Sequence, residues 1–294
     1  MIPSFNIFTF ARERKKPLVL DGASGSYFQQ KGLFDDDTLW SAQLNIDAPE
    51  VVYDLHLKYI KTGADIITSN TFRTNPSAIS LSRKSVKCEN LVKSALQIAV
   101  LASKHGNVLI AGSNAPAEDC YQSKRKISKK KLEYNHHKHI DLLMLNGSDF
   151  ILNETQSHLD EILIIAKYCS KNDIPFVISL FFNKDLRILS GEKLSEIIDI
   201  ILDYAPISLS FNCIPPDYLK RFIKHKALNY NWGAYFNCGK GSYSEKIIKC
   251  GVKPEEYISH ISALMDKSPS FIGSCCGSSP AHTKKIRKFL DEIN

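Results

Sequence analysis

Short, nearly continuous apolar runs recur along the whole chain, at residues 17–21, 64–70, 108–113, 150–154, 175–182, 207–213, 232–237 and 271–275. They do not alternate with polar residues, which is the pattern of parallel strands covered on both faces. Between them the apolar positions switch to helical spacing. Residues 49–62 open on Pro49-Glu50, place Val51, Val52, Leu55, Tyr59 and Ile60 on one face, and stop at Gly63. Residues 88–105 stop at Gly106, and 159–172 carry Leu159, Ile162, Leu163, Ile165 and Ala166. Helices over 194–204 and 216–225 follow, and a last one starts at Ser279-Pro280. Eight strands alternating with helices predict an α/β fold, a (β/α)8 TIM barrel of parallel strands, as one domain over residues 1–294. A doubly wound open sheet is the runner-up, because periodicity says nothing about closure.

Polar residues gather where the apolar runs end: Asp21, Asn70, Asn114, Glu154, Cys213, Asn237 and Cys275. In a barrel these ends converge on one face, where active sites are built. A habit of ending strands on polar residues accounts for one or two of them and leaves the cysteines unexplained. Cys213 and the pair Cys275-Cys276 bring three thiols to strand ends, with Gly273 and Gly277 allowing the backbone to bend around the pair. Three sulfur ligands suit a soft metal with one position left open, and zinc is the natural candidate. An oxidised switch and two inert core thiols are the competing readings of a vicinal pair. Three thiolates on Zn2+ carry a net negative charge, which is poor for activating water and well suited to keeping a fourth thiolate electron-rich. The chemistry expected of a metal here is thiol alkylation rather than hydrolysis.

Composition narrows the setting. A chain of 294 residues with eight cysteines, a large apolar fraction and no signal-peptide pattern at its start is expected in a reducing cytoplasm with most of its thiols free. No apolar run approaches a membrane span. The net charge of +7 comes partly from residues 124–131, which read as a solvated loop, so neither nucleic acid nor membrane is expected as a partner. Residues 118–131 read as the least ordered segment, a long loop able to cover the active face. Cys88, Cys120, Cys169 and Cys250 carry no ligand spacing, whereas Cys238 follows a strand-like run. His136, His137 and His139 read as the solvated face of a helix, Asp35-Asp36-Asp37 as an exposed acidic turn or helix start, and Gly239-Lys240-Gly241-Ser242 as a mobile turn.

The chain also resembles the homocysteine S-methyltransferase family. The resemblance runs through Leu20-Asp21-Gly22-Ala23-Ser24-Gly25-Ser26, then Leu39-Trp40-Ser41-Ala42 and Ala48-Pro49-Glu50-Val51-Val52, and on to Gly63-Ala64-Asp65-Ile66-Ile67-Thr68-Ser69-Asn70-Thr71-Phe72. Asn153-Glu154-Thr155, Asn212-Cys213 and Gly273-Ser274-Cys275-Cys276-Gly277-Ser278-Ser279-Pro280-Ala281-His282 follow in order. It implies a zinc-dependent enzyme of methionine biosynthesis that methylates homocysteine, with Zn2+ held by Cys213, Cys275 and Cys276 and the homocysteine sulfur as a further ligand. It implies Asp21 and Gly22 beside the substrate's amino-acid backbone, and Glu154 as the catalytic-site carboxylate that pairs with its ammonium group. Asn237 resembles a residue that fills the open metal position before substrate arrives, although Asn237-Cys238-Gly239-Lys240 departs from the family pattern and Cys238 competes for that role. The chain ends twelve residues after His282, so no cobalamin or folate domain and no betaine-type extension is expected. That favours a sulfonium donor, S-methylmethionine or S-adenosylmethionine. Betaine, a corrinoid or folate partner, another thiol acceptor, and a non-catalytic zinc- or amino-acid-binding relative are the alternatives.

Overall fold

The computed structural model describes residues 6–33, 38–224, 226, 228–240 and 248–293. Its main sheet contains β1 (Leu18–Val19), β2 (Ile66–Thr68), β3 (Leu109–Asn114), β4 (Phe150–Gln156), β5 (Phe176–Leu180), β6 (Ser208–Asn212), β7 (Trp232–Phe236) and β10 (Phe271–Ser274). The strands run parallel in the order β1-β10-β7-β6-β5-β4-β3-β2. A parallel bridge between Leu20 and Ile66 joins the two end strands. There the Asp21 N–H donates to Ile66 O at 2.9 Å and the Asp65 N–H to Val19 O at 2.8 Å. The eight apolar runs therefore form a barrel, closed by this narrow seam, and the open sheet is set aside. A small antiparallel hairpin, β8 (Gly239–Lys240) with β9 (Lys249–Cys250), follows β7.

The six predicted helices form as α4 (Pro49–Lys61), α6 (Cys88–Ser103), α8 (Leu159–Lys171), α9 (Leu194–Leu202), α10 (Pro216–Ile223) and α12 (Pro280–Glu292). Their apolar faces cover the outside of the barrel in one large cluster, and a smaller cluster fills its interior. Short helices lie outside the predicted set: α1 (Ile7–Glu13), α2 (Gly25–Gln30), α3 (Leu44–Asp47), α5 (Pro76–Leu81) and α11 (Pro254–Ser262). Helix α1 plugs the N-terminal end of the barrel. Its Phe8 packs edge-on against Phe150 and Phe271 with ring centroids 5.5 Å apart in each case, so the opposite, C-terminal end is left to carry a site. Among the described residues no helix is long and apolar enough to cross a membrane. The acidic turn Asp35-Asp36-Asp37, Gly241-Ser242 and the predicted helix end at His225 lie outside the described residues.

Helix α7 (Lys129–Leu145) corrects two expectations. It begins inside the segment read as loop, capped by the Ser128 side chain, and its histidines are not a solvated face. His136 and His139 are fully buried, and His137 stacks on Tyr168 with centroids 3.9 Å apart. The inner face of α7 sets polar residues among apolar ones such as Leu132, Ile140 and Leu143, and the polar ones meet polar partners. His136 Nε2 lies 2.7 Å from Glu161 Oε1, His139 Nδ1 2.9 Å from Asn114 Oδ1, and His139 Nε2 2.8 Å from Thr74 Oγ1. Burial pushes His139 down to about 3, which keeps it neutral. Arg125, from the basic loop, donates to Glu161 Oε2 at 2.9 Å and pairs with Asp160.

Burial by itself raises the pKa of Glu161, but His136, the Ala117 N–H and Arg125 more than offset it and hold the carboxyl below its usual range. Glu161 thus fastens the loop after β3 to α7 and α8. Glu161→Ala is expected to cost roughly 3–5 kcal/mol, read by chemical denaturation, because it leaves Arg125 and His136 without their buried acceptor. Glu161's contribution is present above the usual carboxylate pKa and fades as pH falls through its depressed value, so the gap between wild type and variant should narrow in acid.

Candidate active site

The loops at the C-terminal ends of the strands enclose one cavity of about 370 Å³. Of the seven strand-end polar residues, Asp21, Asn70, Glu154, Cys213 and Cys275 line it, together with Cys276 and Gly22. Asn114 and Asn237 are not among the lining residues. Asn114 is buried against α7, and the Asn237 side-chain oxygen accepts the Gly239 N–H at 2.7 Å.

After β6 the chain turns sharply at Cys213, whose φ of +52° is left-handed. Such a conformation is costly for a residue with a side chain and persists where the surroundings impose it. The Cys213 N–H donates to Tyr235 O at 3.1 Å, and the Cys275 N–H to Phe236 O at 2.8 Å, so both cysteines hang from β7. The bend after the pair uses Gly277 at φ +83°, where a Cβ would come within 2.6 Å of the Gly239 nitrogen. These turns bring the three sulfurs within 4.8 Å of one another. Cys213 and Cys275 are paired sulfur to sulfur, and Cys276 Sγ lies 3.7 Å from Cys213 Sγ. Among the described residues no other cysteine belongs to this group. Cys238 is buried alongside, with its thiol directed at Phe236 O, 3.7 Å away.

The donor set fits a metal. A tetrahedral zinc with Zn–S bonds of about 2.3 Å spaces its sulfurs about 3.8 Å apart; for this the Cys213–Cys275 pair must be reduced. Burial, reinforced by the negative charge of Glu154, pushes the Cys276 thiol up to about 12. A thiolate in this position therefore requires a cation beside it.

Two carboxylates line the same cavity. Glu154, at the end of β4, accepts the Ser113 hydroxyl at 2.5 Å on one oxygen and the Tyr235 hydroxyl at 3.3 Å on the other. Burial raises it to about 6, against the pull of these two donors. Asp21, after β1, takes the Thr68 N–H at 2.8 Å and the Thr68 hydroxyl at 2.9 Å. Burial, with the charge of Glu154 adding to it, raises Asp21 to about 8. Two acids that resist ionisation in one chamber are suited to receive a positive group, whose charge restores both to the ionised form. Gly22 follows Asp21 where a Cβ would sit 2.7 Å from Ser278 Oγ and 2.8 Å from Tyr59 Oη, so only glycine lets this turn pack. Thr68, Ser113 and Tyr235, which orient the acids, were not singled out from the sequence. All three sit in predicted strands, where only the inward or outward direction of the pleat distinguishes them.

A closed parallel barrel whose C-terminal strand ends gather three thiols and two buried acids around a cavity has the architecture of an enzyme. A sequence model of the homocysteine S-methyltransferase family matches residues 18–290. Homocysteine S-methyltransferase 2 from Arabidopsis thaliana is 25% identical, over 98% of this chain and 97% of its own length. Selenocysteine Se-methyltransferase from Brassica oleracea var. italica is also 25% identical, over 92% of this chain and 88% of its own. The crystal structure of the metallated form of the homocysteine methyltransferase MmuM from Escherichia coli superposes with a TM-score of 0.80 at 20% identity, covering 97% of this chain and all of that one, and shares the fold. The chain belongs to the homocysteine S-methyltransferase family and is a methyltransferase.

Proposed function

We propose that this enzyme moves a methyl group from a sulfonium donor, S-methylmethionine or S-adenosylmethionine, to the thiolate of homocysteine, giving methionine. The observation that carries this reading is the group of three sulfurs, within 4.8 Å of one another, in a cavity that also holds Glu154 and Asp21. Cys213, Cys275 and Cys276 would hold one Zn2+. When bound, zinc supplies the positive charge that allows the acceptor sulfur to be a thiolate at neutral pH. Glu154 receives the homocysteine ammonium and fixes the approach of its sulfur, with Asp21 and Gly22 beside the amino-acid backbone. Asn237 must release the Gly239 N–H to fill the fourth metal position before substrate binds.

In the transfer the acceptor sulfur's electron pair forms the new S–CH3 bond. The bond between the methyl carbon and the donor sulfur breaks, and the donor leaves as a neutral thioether without proton movement. Among the described lining residues the acids Asp21, Asp119 and Glu154 outnumber the base Arg73, and once the homocysteine ammonium restores the charge of the buried acids this balance favours a cationic donor electrostatically. The barrel acts as one homocysteine-binding domain over residues 1–294, in the cytoplasm, where reducing conditions keep the thiols available.

Reduced, zinc-loaded enzyme should form methionine from homocysteine with S-methylmethionine or S-adenosylmethionine, without cobalamin or folate, as followed by chromatography. Turnover with betaine alone would overturn the donor assignment. The similarity to a selenocysteine Se-methyltransferase supports a second acceptor, a selenol in place of the thiol. Comparing kcat/KM for homocysteine and selenocysteine under the same conditions decides between them.

A further inference from the structure

The proposed reaction brings two substrates into one chamber, and when the donor is an amino-acid sulfonium both carry an ammonium and a carboxylate. Glu154 and Asp21 provide for the acceptor's ammonium. The cavity also holds Arg73 and Asp119, to which the acceptor contacts proposed above give no partner.

Arg73 lies between β2 and α5 in a segment fixed on both sides. Thr71 Oγ1 donates to Ser113 O at 2.8 Å, Thr74 Oγ1 donates to Thr71 O at 3.0 Å, and the Asn75 side chain accepts the Ala78 N–H at 2.9 Å. These bonds bury Thr71, Thr74 and Asn75 and leave Arg73 lining the cavity. Its guanidinium lies 5.7 Å from the Phe72 ring centroid, and Phe72 meets Trp40 edge-on at 6.1 Å. No carboxylate pairs with Arg73 among the described residues. A guanidinium held over an aromatic ring at a cavity wall, with its fork of donors unused, is built for a planar anion.

Asp119 lies on the loop after β3. One of its oxygens takes the Tyr121 N–H at 2.9 Å, and the other accepts no bond among the described residues. The loop around it is pinned, with Glu118 accepting the Lys126 N–H at 2.8 Å and Arg125 fastened to Glu161. Arg73 and Asp119 both lie within electrostatic reach of the cavity thiol Cys120, and Glu154 within reach of Asp21 and Cys276. The charges lining the cavity therefore comprise a pair of acids, Asp21 and Glu154, and a pair of opposite sign, Arg73 and Asp119.

We infer that Arg73 and Asp119 form a donor subsite for a zwitterionic sulfonium, Arg73 taking its carboxylate and Asp119 its ammonium, with Phe72 and Trp40 against the cationic end. This rests on the sulfonium-donor reading above. Three methyl donors separate the parts: S-methylmethionine carries both groups, dimethylsulfoniopropionate only the carboxylate, and trimethylsulfonium neither. Arg73→Gln should raise KM for the first two donors roughly 10- to 100-fold. It should leave KM for homocysteine, zinc content and turnover with trimethylsulfonium within about twofold of wild type. Arg73→Lys should fall between, and Asp119→Asn should affect S-methylmethionine alone. A rise in KM for homocysteine instead would assign Arg73 to the acceptor and overturn the subsite, as would unchanged donor KM values. Calorimetric titration of the zinc-loaded enzyme with S-methylmethionine keeps the two proposals apart. Donor binding that Arg73→Gln weakens, without any turnover, would sink the proposed reaction and retain the subsite. No donor binding in the wild type would sink the subsite as well.

Discussion

Replacing Cys213 with alanine is expected to remove the metal and the activity together. The reduced wild-type chain should carry about one zinc, bound by three thiolates with the fourth position open, and elemental analysis reads this directly. Alanine keeps the left-handed backbone at position 213 no worse than cysteine does, so the loss of one ligand is separated from a change in the turn. Two thiolates are a poor zinc site, and the variant should retain only a small fraction of the metal after dialysis. Cys276→Ala should behave alike. Cys238→Ala tests the competing ligand and should retain its zinc, because the Cys238 thiol is directed at Phe236 O and lies outside the sulfur group. Zinc loading should require a reductant, since an S–S bond between Cys213 and Cys275 and a metal on those sulfurs exclude each other. Stoichiometric zinc and full turnover in Cys213→Ala would show that the metal binds elsewhere.

The strand ends show how far a sequence carries such a site. Near-continuous apolar runs mark strands covered on both faces, so the barrel and its eight strands were legible. Cys213, Cys275 and Cys276 were legible as well, because a thiol just past a strand has little structural reason to be there and three of them have less. Direction was not legible. Successive residues of a strand point to opposite faces, and a one-residue offset exchanges cavity for outer layer. Ser113 points in and binds Glu154, while Asn114, the next residue, points out to His136 and His139. Asn237 is likewise turned to its own hairpin. The buried histidines of α7 were read as a solvated face because helical periodicity is read from apolar residues. Histidines set among the apolar residues of an inner face, matched to Asn114, Thr74 and Glu161, look solvent-facing until their partners are seen. Arg73 and Asp119 carry no signal of their own, since only the fold brings the segment after β2 and the loop after β3 to one cavity.

The three sulfurs and two acids also carry a cost. Burial raises Glu154 to about 6 from 4.5 and Asp21 to about 8 from 3.8, so the substrate-free fold keeps two carboxyls that disfavour ionisation. A group whose folded pKa lies above its unfolded value contributes stability below the unfolded value and loses it as pH rises through the folded one. The empty enzyme should therefore lose stability between pH 3.8 and about 8, and homocysteine, bringing an ammonium to these acids, should restore it.

Glu154→Gln should expose this trade. The amide preserves the size of the side chain and still accepts from Ser113 or Tyr235, but it has no charge for the substrate ammonium. Homocysteine affinity should fall roughly 10- to 100-fold, with zinc content unchanged, because a hydrogen bond to a charged group is lost in a buried site. The pH dependence identifies the charge as the cause. Above about 6 the wild-type carboxyl is ionised and the variant is at its full disadvantage; below about 6 the wild type is protonated too, and the two dissociation constants should converge. Taking the ratio cancels the separate requirement that the substrate thiol lose its proton, which falls on both proteins equally. Thermal melts of the substrate-free proteins should run the other way, with Glu154→Gln no less stable than wild type at pH 8 and its relative advantage shrinking towards pH 4.5. A constant affinity ratio from pH 5 to 8 would mean that Glu154 does not serve the ammonium as a carboxylate, and loss of zinc in the variant would place it in the metal site instead.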